Sequence, residues 1–240
     1  MKTLHRLATG IVLLAAMSPR VSAQQKPETK AEPAHKLIEF QMALLKHGPK
    51  WTADETPEKT RIHQQHVEYV LSLIDSGKAV IAGPFTDGGE ISGVFILRAK
   101  SAEEAKAWAE ADPTVTAGLQ VVEMHPWWSE DIFRKPAMPL KLTPTFFAFL
   151  TRGEKWTPEK TPATEEIQKG HMANINRLAE MKKLVAAGPF GDNGRLRGIF
   201  VFRVGSIEEA KALTASDPAV QAGRLAMEIH PWMIPEGIIP

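Results

Sequence analysis

The sequence predicts an α+β fold: two tandem ferredoxin-like βαββαβ units that pair sheet to sheet within one chain. Three observations carry this. The second half of the chain repeats the first at a constant offset. Each copy alternates apolar strand-like stretches with two capped helices. The middle strands are apolar on both faces, so each needs cover on two sides.

The repeat is explicit. Trp51-Thr52 recurs as Trp156-Thr157, Gly83-Pro84-Phe85-x-Asp87 as Gly188-Pro189-Phe190-x-Asp192, and His125-Pro126-Trp127 as His230-Pro231-Trp232, always 105 residues later. From Ala43 to Trp127 the copies align without a gap, with roughly 37 identities in 85 pairs. That is a duplicated domain, since solenoid repeats have periods of about 20–50 residues. The units are set at residues 37–127 and 144–240, joined by a proline-containing linker over 128–143.

Within a unit, Leu37 to Leu45 and Thr145 to Leu150 read as the first strand. Thr56-Pro57 and Thr161-Pro162 supply an N-cap and a proline at the first helical position, opening a long helix to about Ser76 and Lys182. A short strand follows at Ala79 to Ala82, then hairpin turns at Asp87-Gly88-Gly89 and Asp192-Asn193-Gly194. Gly93 to Leu97 and Gly198 to Phe202 are central strands. Ser101-x-x-Glu104 and Ser206-x-x-Glu209 have the spacing of capping boxes for a second helix. Leu119 to Met124 and Leu225 to Ile229 form the last strand, which His125 and His230 are expected to end.

Composition excludes several function classes. Of 240 residues, 29 are Lys or Arg and 28 Asp or Glu, a net charge of +1 that lacks the basic surplus of nucleic-acid binding. There is no cysteine, hence no disulfide, thiolate nucleophile or cysteine metal site. No phosphate-loop, dinucleotide or serine-hydrolase motif occurs, and no cofactor is expected. His63 and His66 stand three apart, but the second copy has Gln168 for His63, so no metal site is expected either. At the N-terminus Lys2, His5 and Arg6 precede an apolar run from Leu7 to Met17 and the triplet Val21-Ser22-Ala23. That is the pattern of a Sec signal peptide over residues 1–23, cleaved after Ala23, and predicts a periplasmic or secreted protein. The run is too short to span a bilayer. Residues 24–36 read as a polar, flexible leader.

The candidate site follows from the repeat. Ile62, His66, Val70 and Leu73 share one face of the first helix, and Ile167, His171, Ile175 and Leu178 repeat it. An imidazole on an inward stripe needs a partner, whether a backbone carbonyl or a carboxylate that orients it for acid–base work. Asp112 and Asp217 each precede a proline; they suit an N-cap and equally a His-orienting carboxylate. Trp51 and Trp156 lie in the loop before the first helix and either line a pocket or pack inward. Arg98 and Arg203 end a central strand, placed to meet an anionic ligand or an internal carboxylate. Asp87 and Asp192 read as turn residues. His125 and His230 read as structural, with Trp127 and Trp232 as plugs.

Each unit resembles the YCII-related (YciI-like) domain of the dimeric α/β-barrel superfamily. The residues that carry this are His66, Ala82-Gly83-Pro84-Phe85, Gly93, Ser101-x-Glu103-Glu104-Ala105, Ala111-Asp112-Pro113 and Gly118, with their counterparts from His171 to Gly223. The resemblance implies paired units, here an internal pseudo-dimer open to further oligomerisation, and a pocket at a His/Asp pair implicated in catalysis. By position the pairs are His66/Asp112 and His171/Asp217. Relatives in the superfamily act on small cyclic or aromatic molecules.

The function expected is therefore an exported small-molecule enzyme, an isomerase or lyase without a cofactor. The alternative is a non-catalytic periplasmic protein that binds a small aromatic or haem-like ligand. A third reading is an interaction module in which the pairs are structural remnants.

Overall fold

The computed structural model describes residues 36–240; the expected signal peptide and nearly all of the leader lie outside the described residues. The first unit runs β1 (Leu37–His47), α1 (Pro57–Asp75), β2 (Ala79–Pro84), β3 (Ile91–Leu97), α2 (Ala102–Glu110), α3 (Pro113–Thr116) and β4 (Gln120–Glu130). The second repeats it as β5 (Leu142–Arg152), α4 (Pro162–Glu180), β6 (Leu184–Pro189), β7 (Leu196–Phe202), α5 (Ile207–Ala215), α6 (Pro218–Gln221) and β8 (Leu225–Pro235). The sheets are antiparallel, ordered β2-β3-β1-β4 and β6-β7-β5-β8, the split βαββαβ topology twice over.

The last strands are longer than the sequence suggests. His125 and His230 sit in the middle of β4 and β8, and Trp128 to Glu130 still pair with Leu37 to Glu39. The connection between the units therefore shortens to residues 131–141. The prolines mask this: a residue without N–H looks like a strand end, but Pro126 and Pro231 lie on edge strands, where the missing donor is tolerated.

Thr56 and Thr161 cap α1 and α4, each accepting a backbone N–H at 3.2 Å. Ser101 and Ser206 cap α2 and α5 in the same way. Glu104 and Glu209 do not close the predicted capping boxes; their carboxylates accept from Lys100 and Gly205, one residue before the cap.

Strand alternation divides the core into three layers. Phe40, Met42 and Leu44 of β1 face Phe147 and Phe149 of β5 in a shared interior, with Trp127 and Trp232 fully buried among them. Ala43 and Leu45 point the other way onto α1 and α2, and Ala148 and Leu150 onto α4 and α5. The sheets close on each other where β2 runs beside β8 and β4 beside β6. Bridges join Phe85 to Trp232 and Trp127 to Phe190. The result is an eight-stranded barrel with the helices outside, and each sheet covers the other's apolar face.

Candidate functional site

His171 is buried on the inner face of α4, stacked on Phe200 of β7 at 5.8 Å between ring centres. Its Nδ1 lies 2.8 Å from Oδ2 of Asp217, which is fully buried. Asp217 does two things at once. Its Oδ1 accepts the Ala219 N–H at 2.8 Å, capping α6, while Oδ2 meets His171 and the Asn174 amide at 3.0 Å. The capping and His-orienting roles, alternatives in the sequence, share one carboxylate. Burial pushes the Asp217 carboxyl up. Bonds from His171, Asn174 and the Ala219 N–H outweigh it and hold the group below the ordinary carboxylate value. Asp217 is thus an anion near neutrality and can only accept, so the proton between them sits on His171 Nδ1. The unprotonated nitrogen of the neutral ring is then Nε2, a base.

The first unit repeats the pair with a different brace. His66 Nδ1 lies 2.7 Å from Asp112 Oδ2, and His66 stacks on Phe95 at 6.2 Å. Asp112 Oδ1 caps α3 through Thr114 N–H at 2.8 Å. Here the neighbouring polar groups close on one another: Thr114 Oγ1 lies 2.5 Å from both Asp112 Oδ1 and Gln120 Oε1, and Gln120 donates to Ser92. The second unit has Ala219, Leu225 and Arg197 at those three positions. Asn174 stands where the first unit has Tyr69, and Arg177, where it has Ser72, donates to Asn174 at 2.7 Å.

His171 lines a cavity of about 1080 Å³ between α4 and its sheet. Leu150, Ile175, Leu184 and Phe200 give it an apolar wall, Trp156 also lines it, and Ser129 with Glu130 from the end of β4 reach it from the first unit. Trp156 is half-buried, with the Arg152 guanidinium 4.0 Å from its ring centre. Trp51 is more exposed, at 45%, and stacks on His47 at 3.7 Å.

The two strand-end arginines stand away from this cavity. Arg98 forms a bidentate pair with Asp131 at 2.8 and 2.6 Å, the internal alternative. Arg203 donates to the carbonyls of Pro240 and Ile239, both at 2.9 Å, tying down the C-terminus. Both guanidiniums are engaged by the chain's own oxygens.

A second set of His/Asp contacts crosses between the units. His125 Nδ1 lies 2.5 Å from Asp192 Oδ2, and His230 Nδ1 lies 2.6 Å from Asp87 Oδ2. Asp87 and Asp192 keep their turn roles, accepting Gly89 and Gly194 N–H through Oδ1. His125 Nε2 also meets Glu123 at 2.9 Å. His230 Nε2 is buried without a hydrogen-bond partner, because Glu228 turns to Arg195 instead. The repeat carried a signal for these residues, since all four recur at the 105-residue offset. What it lacked was any sign that each pair draws its members from different units.

A profile of the YCII-related domain matches residues 40–128 and again 146–233. The chain belongs to the YCII-related domain family. It is 30% identical over 90 residues to the uncharacterized protein YjpA of Bacillus subtilis (strain 168), a match covering 38% of this chain and 95% of that one. Among solved structures it resembles a mutant chlorite dismutase from Candidatus Nitrospira defluvii in complex with cyanide, with TM-score 0.55 and 11% identity, over 82% of this chain and 90% of that one. A second mutant of the same enzyme matches with TM-score 0.54 and 10% identity, over 82% and 91% of the two chains. At such identities the likeness is one of fold: two YCII-related units paired as a dimeric α/β barrel. Among the described residues no helix is long and apolar enough to cross a membrane.

Proposed function

We propose that this YCII-related protein is an exported small-molecule enzyme that moves a proton with a His/Asp pair. Isomerase or lyase chemistry on a small cyclic or aromatic compound fits best. The observation that carries the reading is His171: its Nδ1 is held by a buried carboxylate, and the residue lines an apolar cavity large enough for such a compound.

His171 Nε2 takes a proton from carbon or hydroxyl. In an isomerisation the imidazolium returns it to another atom; in an elimination it keeps it as the leaving group departs. Asp217 does not move the proton. It fixes the ring and its tautomer and stabilises the imidazolium as it forms, which requires that it stay ionised. The apolar side chains beside the pair, Phe200 and Ile175, lower the local dielectric and strengthen that interaction. His66 and Asp112 repeat the arrangement in the first unit, where the His66 side chain is 18% exposed against 9% for His171. Export rests on the order of charged, apolar and small residues before Gln24.

The test is turnover of hydroxylated aromatics and lactones by the mature chain. Replacing both histidines, His66→Ala/His171→Ala, is expected to lower kcat by about 10²–10⁴-fold. Unchanged turnover in the His66→Ala/His171→Ala double variant would end the proposal. For export, the mature N-terminus should begin at Gln24, and a chain recovered intact from Met1 would contradict it.

A further inference from the structure

The two copies differ in the charge of the residues around the second cavity. Four of its lining residues are cationic where the first copy is neutral or acidic: Lys160 for Glu55, Lys169 for Gln64, Arg197 for Ser92 and Arg224 for Leu119. The lining also carries Glu159, Glu165 and Glu130. Glu159 replaces Asp54 without changing charge, and Glu165 replaces Thr60. Thr164 of the lining stands where the first copy has Lys59, and Glu130 where the other unit has Pro235. Across the eight lining positions charged in either copy, the first copy sums to −1 (Asp54, Glu55 and Lys59) and the second to +1 (four cations, three acids).

The two arginines are the decisive part. Both are half-buried rather than fully solvated. The oxygens they bond are neutral: Arg224 donates to Thr157 Oγ1 at 3.1 Å and to its carbonyl at 2.8 Å, and Arg197 to the Asn193 side chain at 3.5 Å. These bonds position the guanidiniums without neutralising them. Arg197 also lies 5.8 Å from the ring centre of Trp156, another lining residue. In the first copy the same strand position is Ser92, which is bound up with Gln120 and the Leu45 carbonyl. A self-satisfied polar cluster has thus been replaced by a cation against an apolar cavity. A guanidinium held there suits a carboxylate or phosphate, which it can meet through two parallel bonds.

We propose that the second unit's cavity binds an organic anion. An apolar, ring-sized body rests against Phe200 and Ile175, and one carboxylate or phosphate faces Arg197 and Arg224. The first unit has no such anion site. This rests on the reading that His171 works in this cavity, and it names the class of compound that reaches it.

The experiment is calorimetric titration of the full chain with 1-naphthoate, 1-naphthyl phosphate and the uncharged 1-naphthamide. The expected result is one strong site per chain for an anion, weakening as salt rises, with naphthamide at least about tenfold weaker. Arg197→Ser installs the first copy's residue and should cost the anion about tenfold while leaving naphthamide unchanged. Lys160→Glu, on the exposed rim, should weaken the anions in the same direction and guards against a folding defect in the first variant. Tighter naphthoate than naphthyl phosphate assigns a carboxylate, and the reverse assigns a phosphate. Equal binding of naphthoate and naphthamide, two equal anion sites per chain, or no loss in either variant would overturn the proposal. If the anions bind as expected while the His66→Ala/His171→Ala double variant leaves turnover intact, the anion site stands and the acid–base reading fails. If an uncharged substrate is turned over by His171 and no anion binds, the acid–base reading stands and this one fails.

Discussion

Trp127 of the first unit donates its indole N–H to the carbonyl of Gly188 in the second, at 3.1 Å, and Trp232 returns the bond to Gly83 at 3.0 Å. These reciprocal bonds mark where the sheets meet. A Cβ on Gly188 would lie 1.8 Å from the Trp128 carbonyl oxygen, and one on Gly83 would lie 1.9 Å from that of Met233. The obstructing atoms are backbone and cannot swing aside. Gly188→Ala is therefore expected to destabilise the protein by about 3 kcal/mol, read from its urea midpoint, by forcing β4 away from β6. An unchanged midpoint would show that the closure tolerates a wider gap.

The crossed His/Asp contacts predict unequal costs. Removing Asp192 leaves His125 with Glu123 on its other nitrogen. Removing Asp87 leaves His230, whose Nε2 already lacks a partner, with no bonded nitrogen. Asp87→Ala should cost about 1–3 kcal/mol, and Asp192→Ala less. The order of the two midpoints in denaturant checks this, and the reverse order would contradict the account.

Acid should loosen the molecule through two carboxylates. Burial raises Asp217 and Asp192, but bonds from His171 and Asn174 to the first, and from His125 and the Gly194 N–H to the second, leave both below the ordinary value. A carboxylate lowered in the folded state contributes stability that is complete above its unfolded pKa of about 3.9. That stability is lost as pH falls through the lower folded value. Unfolding free energy should thus drop steeply below about pH 4, and more gently in Asp217→Asn. Parallel curves for the two proteins would show that Asp217 is not a source of the acid sensitivity.

Much of the fold was legible because the chain contains its own comparison. The 105-residue offset set the two units, and the two-sided apolar strands, such as Gly93 to Leu97, required cover on both faces. Helix starts were readable from Thr56-Pro57 and Thr161-Pro162, since capping is a local interaction. Strand ends were less so, because Pro126 and Pro231 hide the continuation of β4 and β8. At the site, His171 and Asp217 could be nominated by their recurrence on an inward face and before a proline. Their approach to 2.8 Å depends on α4 packing against α6, a tertiary fact. Arg197 and Arg224 were overlooked because a search for identities between copies passes over the positions where the copies differ. Arg98 and Arg203 attracted notice by being identical in both, yet their partners are Asp131 and the C-terminal carbonyls, outside the repeated stretch.

The central claim is that Asp217 holds His171 with its proton on Nδ1, leaving Nε2 as the base that faces substrate. Nitrogen-15 NMR of the histidine-labelled protein at a pH where the ring is neutral, with His171 assigned by loss of its signals in His171→Ala, measures this without knowledge of the substrate. The account predicts a protonated Nδ1 and an unprotonated Nε2. A neutral His171 carrying its proton on Nε2 would contradict it.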